Sequence, residues 1–263
     1  MSDRSLAATW RTVRAEGRAA LVAFFTAGVP TPGAAVDAWR RAADAGADVL
    51  EIGIPFSDPL ADGPVIQRAS HAALAQGMTP AGALALVRDA ALPVPVVMMT
   101  YANPVLAYGA ARFAADARAA GAVGILLTDV PAGADPELEG AVRGAGLDLI
   151  RLVAPTTTAE RLAAALQDAS GFIYLISRLG VTGVREAIPG DLAAHVERIR
   201  AATPLPVAVG FGIGSPEQAR AAARVADGVV VGSALVEALE RGGPAAAAAL
   251  VGGLARAVRE ARA

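Results

Sequence analysis

Hydrophobic residues along the chain are concentrated in eight short runs, most of them bounded by glycine or proline. The runs cover residues 20–28, 48–54, 94–101, 122–129, 147–155, 171–177, 205–212 and 227–233. Nearly continuous apolar runs of this length are typical of strands that are buried on both faces of a parallel sheet. The pattern therefore predicts eight parallel β-strands.

Segments rich in alanine, arginine and leucine separate these runs, with apolar residues at helical spacing. Several open with a Ser or Thr cap followed by proline or another good helix start, as in residues 31–46, 156–170 and 215–226. Eight alternating strands and helices close naturally into a (β/α)₈ barrel. We predict one α/β TIM-barrel domain over residues 1–263, with an extra N-terminal helix. An open doubly wound sheet is the alternative.

The net charge and the hydropathy of the chain argue against nucleic acid and membrane as partners. The 263 residues carry a formal net charge of −2 and contain no run of basic residues, which argues against nucleic acid. The uncharged stretch 242–255 is too short and too rich in glycine to span a bilayer. The N-terminal residues lack the order of a secretion signal. We expect a cytoplasmic protein with neither nucleic acid nor membrane as a partner.

Two absent residue types exclude whole classes of chemistry. The chain has no cysteine, and all 23 of its basic residues are arginine. Disulfides, thiolate nucleophiles and lysine Schiff bases are therefore excluded. His71 and His195 fall in predicted helices and are expected to be structural or surface residues. We expect neither a metal nor an organic cofactor.

The second predicted strand contains a glutamate among apolar residues. Side chains alternate along a strand, so Glu51 should share a face with Val49 and Gly53 and point into the barrel. This position lies near the C-terminal strand ends, where barrel active sites are found. An ionised carboxylate is costly in an apolar interior, so its pKa must shift or a partner must stabilise it. A buried ion pair with an arginine is the structural alternative.

The loop after this strand supplies two more carboxylates, Asp58 and Asp62, before a helix expected near Pro64. Each could simply cap a turn or a helix. Two carboxylates that face one ligand allow one to stay charged while the other transfers a proton. The spacing alone does not assign these roles.

Glycines recur after the last three predicted strands, at 180–183, 210–215 and 231–234. In such barrels, the loops after strands 7 and 8 often bind phosphate through backbone N–H groups and a helix N-terminus. Gly212, Gly232 and Ser233 occupy these loops. The sequence therefore predicts a ligand that carries a phosphate group.

Four segments resemble signatures of the tryptophan synthase α subunit family. They are "LEIGIPFSDPLADGPVIQ", "SRLGVTG", "PVAVGFGI" and "DGVVVGSALV", and the resemblance extends over nearly the whole chain. The resemblance implies a lyase of tryptophan biosynthesis. Such a lyase splits indole-3-glycerol phosphate into indole and glyceraldehyde 3-phosphate by a retro-aldol reaction, without a cofactor.

The resemblance also implies site residues. Glu51 matches the acid/base that protonates the indole ring at C3 and assists loss of the glycerol hydroxyl proton. Asp62 matches the carboxylate that accepts the indole N–H, and Tyr174 matches a tyrosine beside the substrate. Further matches are the phosphate contacts Gly183, Phe211, Gly212, Gly232 and Ser233, the indole pocket Phe24, Ile66 and Leu126, and the lid and loop residues Asp58, Arg178 and Thr182. Ordinary core packing is the alternative for the pocket residues.

Departures from the family pattern cluster on the rim where its members dock a β subunit. Val29 stands in "AGVP" where AGDP is usual, Ala102 replaces a tyrosine before the NP pair, and "DVPAGADPE" replaces a DLPPEE-like loop. We expect intact cleavage chemistry with weakened or altered β pairing. The alternatives are a stand-alone lyase that releases free indole, a non-catalytic barrel that binds a phosphate ligand and regulates a partner, and a sugar-phosphate isomerase.

Overall fold

The computed structural model describes residues 4–176, 191–210 and 212–262. In these ranges, eight parallel strands pair in chain order, and β8 closes the barrel against β1. The strands are β1 (Ala20–Thr26), β2 (Val49–Gly53), β3 (Val96–Thr100), β4 (Ala122–Leu127), β5 (Asp148–Val153), β6 (Ile173–Ile176), β7 (Val207–Gly210) and β8 (Gly228–Val231). Every predicted run contains one of them. The TIM-barrel prediction is confirmed, and the doubly wound alternative is wrong.

Helices precede the barrel and follow each strand. They are α1 (Leu6–Ala15), α2 (Pro32–Asp44), α3 (Pro64–Ala75), α4 (Pro80–Ala90), α5 (Ala102–Tyr108), α6 (Ala110–Ala120), α7 (Pro136–Gly144), α8 (Ala159–Gln167), α9 (Leu192–Arg200), α10 (Pro216–Ala223) and α11 (Ser233–Arg259), with a 3₁₀ turn at Glu260–Arg262. The caps act as expected: the Thr31 and Ser215 side chains accept backbone N–H groups of α2 and α10, and proline follows each. Helix α11 is kinked at Gly243, whose φ is 70°. The extra N-terminal helix is α1.

The core has three parts. One lies between the strands and the helices and includes Trp39 and Phe113, a second fills the barrel interior, and a third contains Phe24 of β1 and Ile66 of α3. Trp10 of α1 enters the interior layer from the N-terminal end, and its ring lies 5.5 Å from that of Phe172 between centroids. The Trp10 ring also lies against Gly228, where a Cβ would approach it to 2.6 Å. The N-terminal end of the barrel is thus packed with aromatic side chains.

The strand register sets the surroundings of the buried glutamate. Glu51 is level with Phe24 on β1 and with Val97 on β3. One step further, Gly53 is level with Thr26 and Met99, at the C-terminal ends of the strands. Among the described residues, none of the helices combines the length and the apolar character that crossing a bilayer requires.

Candidate active site

Glu51 lies inside the barrel and is 1% exposed. Neither of its carboxylate oxygens has a hydrogen-bond partner among the described residues. The structural ion pair with an arginine is therefore not found in that part of the chain. Burial, reinforced by the negative charge of Asp62, raises the pKa of Glu51 from 4.5 to about 8. The carboxyl group is mainly protonated at neutral pH and can act as an acid.

Asp62 lies in the turn before α3 and is also buried. Burial raises its pKa to about 6, while a hydrogen bond from Tyr101 opposes that increase. Its backbone is held on both sides, since its N–H donates to Pro59 O at 3.0 Å and its carbonyl accepts from the Gln67 side chain at 2.9 Å. Asp62 is therefore mainly ionised at neutral pH, in contrast to Glu51.

Tyr174, on β6, belongs to the same group of side chains. Burial raises its pKa well above the usual value, and the negative charges of Glu51 and Asp62 add to that increase. Its ring lies against Gly210 on β7, where the hydroxyl occupies the space that a Cβ would need. The structure thus brings together the three side chains that the sequence assigned to catalysis.

A small cavity of about 10 Å³ at the C-terminal end of the barrel lies next to Asp62. Phe24 and Ile66, two of the predicted indole-pocket residues, line it. Its other walls are Thr26, Gly53, Ile54, Ser70, Met99, Thr100 and Tyr101. The third predicted pocket residue, Leu126, packs instead in the interior cluster with Tyr174. Met99 packs against this cluster and also against the cluster that contains Phe24 and Ile66. The indole-pocket roles stay predictions.

Gly53 makes room for the Phe24 ring. A Cβ built on Gly53 would lie 2.7 Å from two carbons of that ring, so any larger residue would displace it. Phe24 in turn approaches Gly232 on the opposite side, where a Cβ would lie 3.4 Å from the ring. Gly53 therefore leaves the space that the Phe24 ring occupies, whereas Gly232 leaves only ordinary contact distance.

The predicted phosphate residues flank two helix starts. Gly212 has a φ of 82° and precedes α10, Gly232 caps α11, and Ser233 is its first residue. The first N–H groups of a helix lack intrahelical partners and carry partial positive charge, which suits an anion. Gly183, Phe211, Arg178 and Thr182 lie outside the described residues.

The two loop aspartates have different surroundings. Asp58 is exposed and accepts a hydrogen bond from the neighbouring Ser57 hydroxyl at 2.6 Å, whereas Asp62 is buried beside the cavity. His71, on α3, is exposed, and its Nε2 lies 3.2 Å from Ser57 O. His195, on α9, lies 3.1 Å from an Asp191 carboxylate oxygen. Within the described ranges, no three His, Asp or Glu side chains are grouped as a metal site would need.

Tyr101 was not among the residues predicted from sequence. It follows β3 directly, is buried, and donates a hydrogen bond from its hydroxyl to Asp62 Oδ2 at 3.0 Å. The signal was available, because polar side chains at C-terminal strand ends of a barrel favour a site.

Comparisons with known proteins decide the family. The sequence model of the tryptophan synthase alpha chain family matches residues 10–259. The chain belongs to this family. A tryptophan synthase alpha chain from Rhizorhabdus wittichii is 51% identical over 245 residues, which cover 92% of this chain and 90% of the relative. One from Novosphingobium aromaticivorans is 48% identical and covers 94% and 96%.

Solved structures agree with the family assignment. A structure of Mycobacterium tuberculosis tryptophan synthase matches with a TM-score of 0.90 at 41% identity, covering 98% of this chain and 99% of that one. The tryptophan synthase subunit alpha of Legionella pneumophila matches with a TM-score of 0.88 at 37% identity, with the same coverage. The resemblance recognised in the sequence motifs is confirmed.

Proposed function

We propose that this protein is a lyase that cleaves indole-3-glycerol phosphate, as the α subunit of a tryptophan synthase. The observation that carries the proposal is the pair of buried carboxyl groups at the barrel mouth. With pKa values of about 8 for Glu51 and about 6 for Asp62, the first is a neutral acid and the second an anion at neutral pH. Family membership supplies the substrate.

The two groups divide the chemistry by charge. Protonated Glu51 donates its proton to C3 of the indole ring, and the resulting cation is stabilised by ionised Asp62, which accepts the ring N–H. The Glu51 carboxylate then takes up the proton of the glycerol hydroxyl as the C3–C1′ bond breaks. Indole and glyceraldehyde 3-phosphate leave, and Glu51 is protonated again. Charge develops on the ring only in the transition state, so Asp62 binds that state best.

The remaining substrate groups fit the walls around the pair. Phe24 and Ile66 offer an apolar surface to the indole ring next to Asp62. The N-terminus of α11, with Gly232 and Ser233, offers backbone N–H groups to the phosphate. This arrangement supports a substrate that is apolar at one end and anionic at the other.

Release of indole from indole-3-glycerol phosphate tests the proposal directly. Glu51→Gln and Asp62→Ala should each lower kcat by roughly 10² to 10⁴, the range of general acid–base catalysis. Asp37→Asn is the matched control, since this aspartate is exposed on α2 and bonded to Arg41. Unchanged indole release in both the Glu51 and the Asp62 variant would refute the assigned roles. A wild-type protein that releases no indole would favour the regulatory barrel.

An apolar groove on the same rim supports docking of a β subunit. Pro55, Phe56 and Pro104 line it. Leu60, on the β2–α3 loop that carries Pro55 and Phe56, is 87% exposed. Leu106, on the same helix as Pro104, is 49% exposed. Large apolar side chains exposed together are typical of interaction surfaces. We propose that a β subunit binds here.

One departure from the family pattern, Ala102, directly precedes Asn103 and Pro104, which line this groove. Ala102 begins α5, and its N–H donates to Asp129 Oδ1 at 2.8 Å, so the altered loop 129–137 is bonded to the helix that carries Leu106. We expect β pairing to be weaker than is usual for the family. Titration with the β subunit from the same source, followed by calorimetry and by indole release, measures this. Tight binding with a large activation would contradict it, and no binding with full activity would favour the stand-alone lyase.

A further inference from the structure

The Tyr101 hydroxyl is held on two sides. It accepts a hydrogen bond from the Ala61 backbone N–H at 3.1 Å and donates to Asp62 Oδ2 at 3.0 Å. The Ala61 N–H can only donate and the ionised Asp62 carboxylate can only accept, so the single hydroxyl hydrogen of Tyr101 is directed at the carboxylate. The direction of this hydrogen bond is therefore fixed.

The Tyr101 ring is fixed as well. It is 4% exposed and packs against Phe56, with 5.1 Å between ring centroids and 35° between ring planes. Tyr101 also follows directly from β3, so its backbone is anchored to the barrel. Asp62, by contrast, lies in a loop. The tyrosine therefore connects a loop carboxylate to the rigid sheet, and such support fixes the geometry of a site.

The charge balance around Asp62 gives this contact a second role. Within residues 4–176, 191–210 and 212–262, the titratable groups that face Asp62 are Glu51 from β2, Tyr174 from β6 and Tyr101 itself. Burial disfavours the charged carboxylate, and the hydrogen bond from Tyr101 is the effect that lowers its pKa. A hydrogen bond to the ionised form favours that form.

We propose that Tyr101 is a positioning residue, whose hydroxyl holds the Asp62 carboxylate in place as the charged acceptor for the indole N–H. The proposal rests on the proposed lyase function for its ligand. Tyr101 does not exchange a proton with the substrate. It acts through Asp62, by setting the orientation and the charge of that side chain.

Tyr101→Phe tests the proposal, because it keeps the ring and its packing and removes only the hydroxyl. We expect kcat for indole release to fall about 10-fold or more, with a smaller change in KM, and the acid limb of the pH profile to move up by about one pH unit. In an Asp62→Asn background, the same substitution should cause little further loss of kcat. Additive losses, or an unshifted acid limb, would overturn the proposal.

A second measurement separates this proposal from the lyase function. Carbon-13 NMR of labelled aspartate carboxyl groups, assigned with Asp62→Asn, follows the titration of Asp62 without substrate. Tyr101→Phe should raise its midpoint by about one pH unit. Tyr108→Phe, which removes the hydrogen bond to Asp116 at 2.7 Å, should leave that midpoint unchanged. An equal midpoint in wild type and Tyr101→Phe would refute the role of Tyr101 even if the protein released no indole.

Discussion

Replacing the buried acid at the centre of the site should change how stability depends on pH. The pKa of Glu51 rises from 4.5 in an exposed chain to about 8 in the folded protein, a difference of about 3.5 units. One unit corresponds to about 1.4 kcal/mol, so ionising Glu51 costs the fold up to about 5 kcal/mol. The folded state holds this proton more tightly than the unfolded state. Stability therefore falls as the pH rises from about 4.5 to about 8, and the loss is complete above that.

Glu51→Gln keeps the shape of the protonated acid and cannot ionise. We expect the variant to be about as stable as wild type near pH 5 and more stable by several kcal/mol at pH 9. The pKa of Asp62 is raised only to about 6, so the ionisation of Asp62 changes the stability mainly below that pH. The comparison between pH 6.5 and 9 therefore isolates Glu51. Urea unfolding at each pH, with equal slopes for both proteins, measures the difference.

A pH-independent difference between the two proteins would refute this reasoning, because it would mean that burial imposes no cost on the Glu51 charge. Asp37→Asn is the control. Its exposed ion pair with Arg41 contributes less than about 1 kcal/mol, and the variant should follow the wild-type curve across the range.

Further predictions concern packing and the barrel wall. Gly53→Ala should displace the Phe24 ring and raise KM for indole-3-glycerol phosphate by roughly 10-fold, the effect of about 1–2 kcal/mol of overpacking. In Gly33→Ala, the added Cβ meets nothing within 4 Å, and KM should not change. The buried Arg151–Glu139 ion pair, 2.8 Å long, should make Glu139→Gln cost about 3–5 kcal/mol in urea unfolding. The double variant Arg151→Met, Glu139→Leu should recover most of that loss; a double variant as unstable as the single one would contradict the account.

The barrel was predictable from sequence because parallel strands buried on both faces are almost continuously apolar. The predicted ends were less accurate, for physical reasons. The run 94–101 begins two residues before β3, since Pro95 has no N–H to give to the sheet. The run 20–28 extends beyond β1, because the residues after Thr26 leave the sheet for the loop to α2 while remaining buried. An apolar run in the sequence thus predicts which residues are buried better than it predicts which residues are hydrogen-bonded in a strand.

The candidate site was predictable only in part. Glu51 was recognisable because a charged residue in an apolar strand contradicts its surroundings. Asp58 and Asp62 were not separable by spacing, since both lie in the same loop rich in proline and glycine, and their burial depends on the path of the turn. Leu126 has the right composition for a pocket wall but packs in the barrel interior. These outcomes depend on tertiary contacts that no local pattern contains.

The division of roles between the two buried carboxyl groups follows from their different partners. Glu51 has no hydrogen-bond donor among the described residues, so burial acts on it unopposed. Asp62 is also buried, but the Tyr101 hydroxyl favours its charged form. The repulsion between two charges in one site further favours a state with one proton on Glu51. In the role proposed for it, Tyr101 at the end of β3 therefore keeps Asp62 as the anion while Glu51 remains the acid.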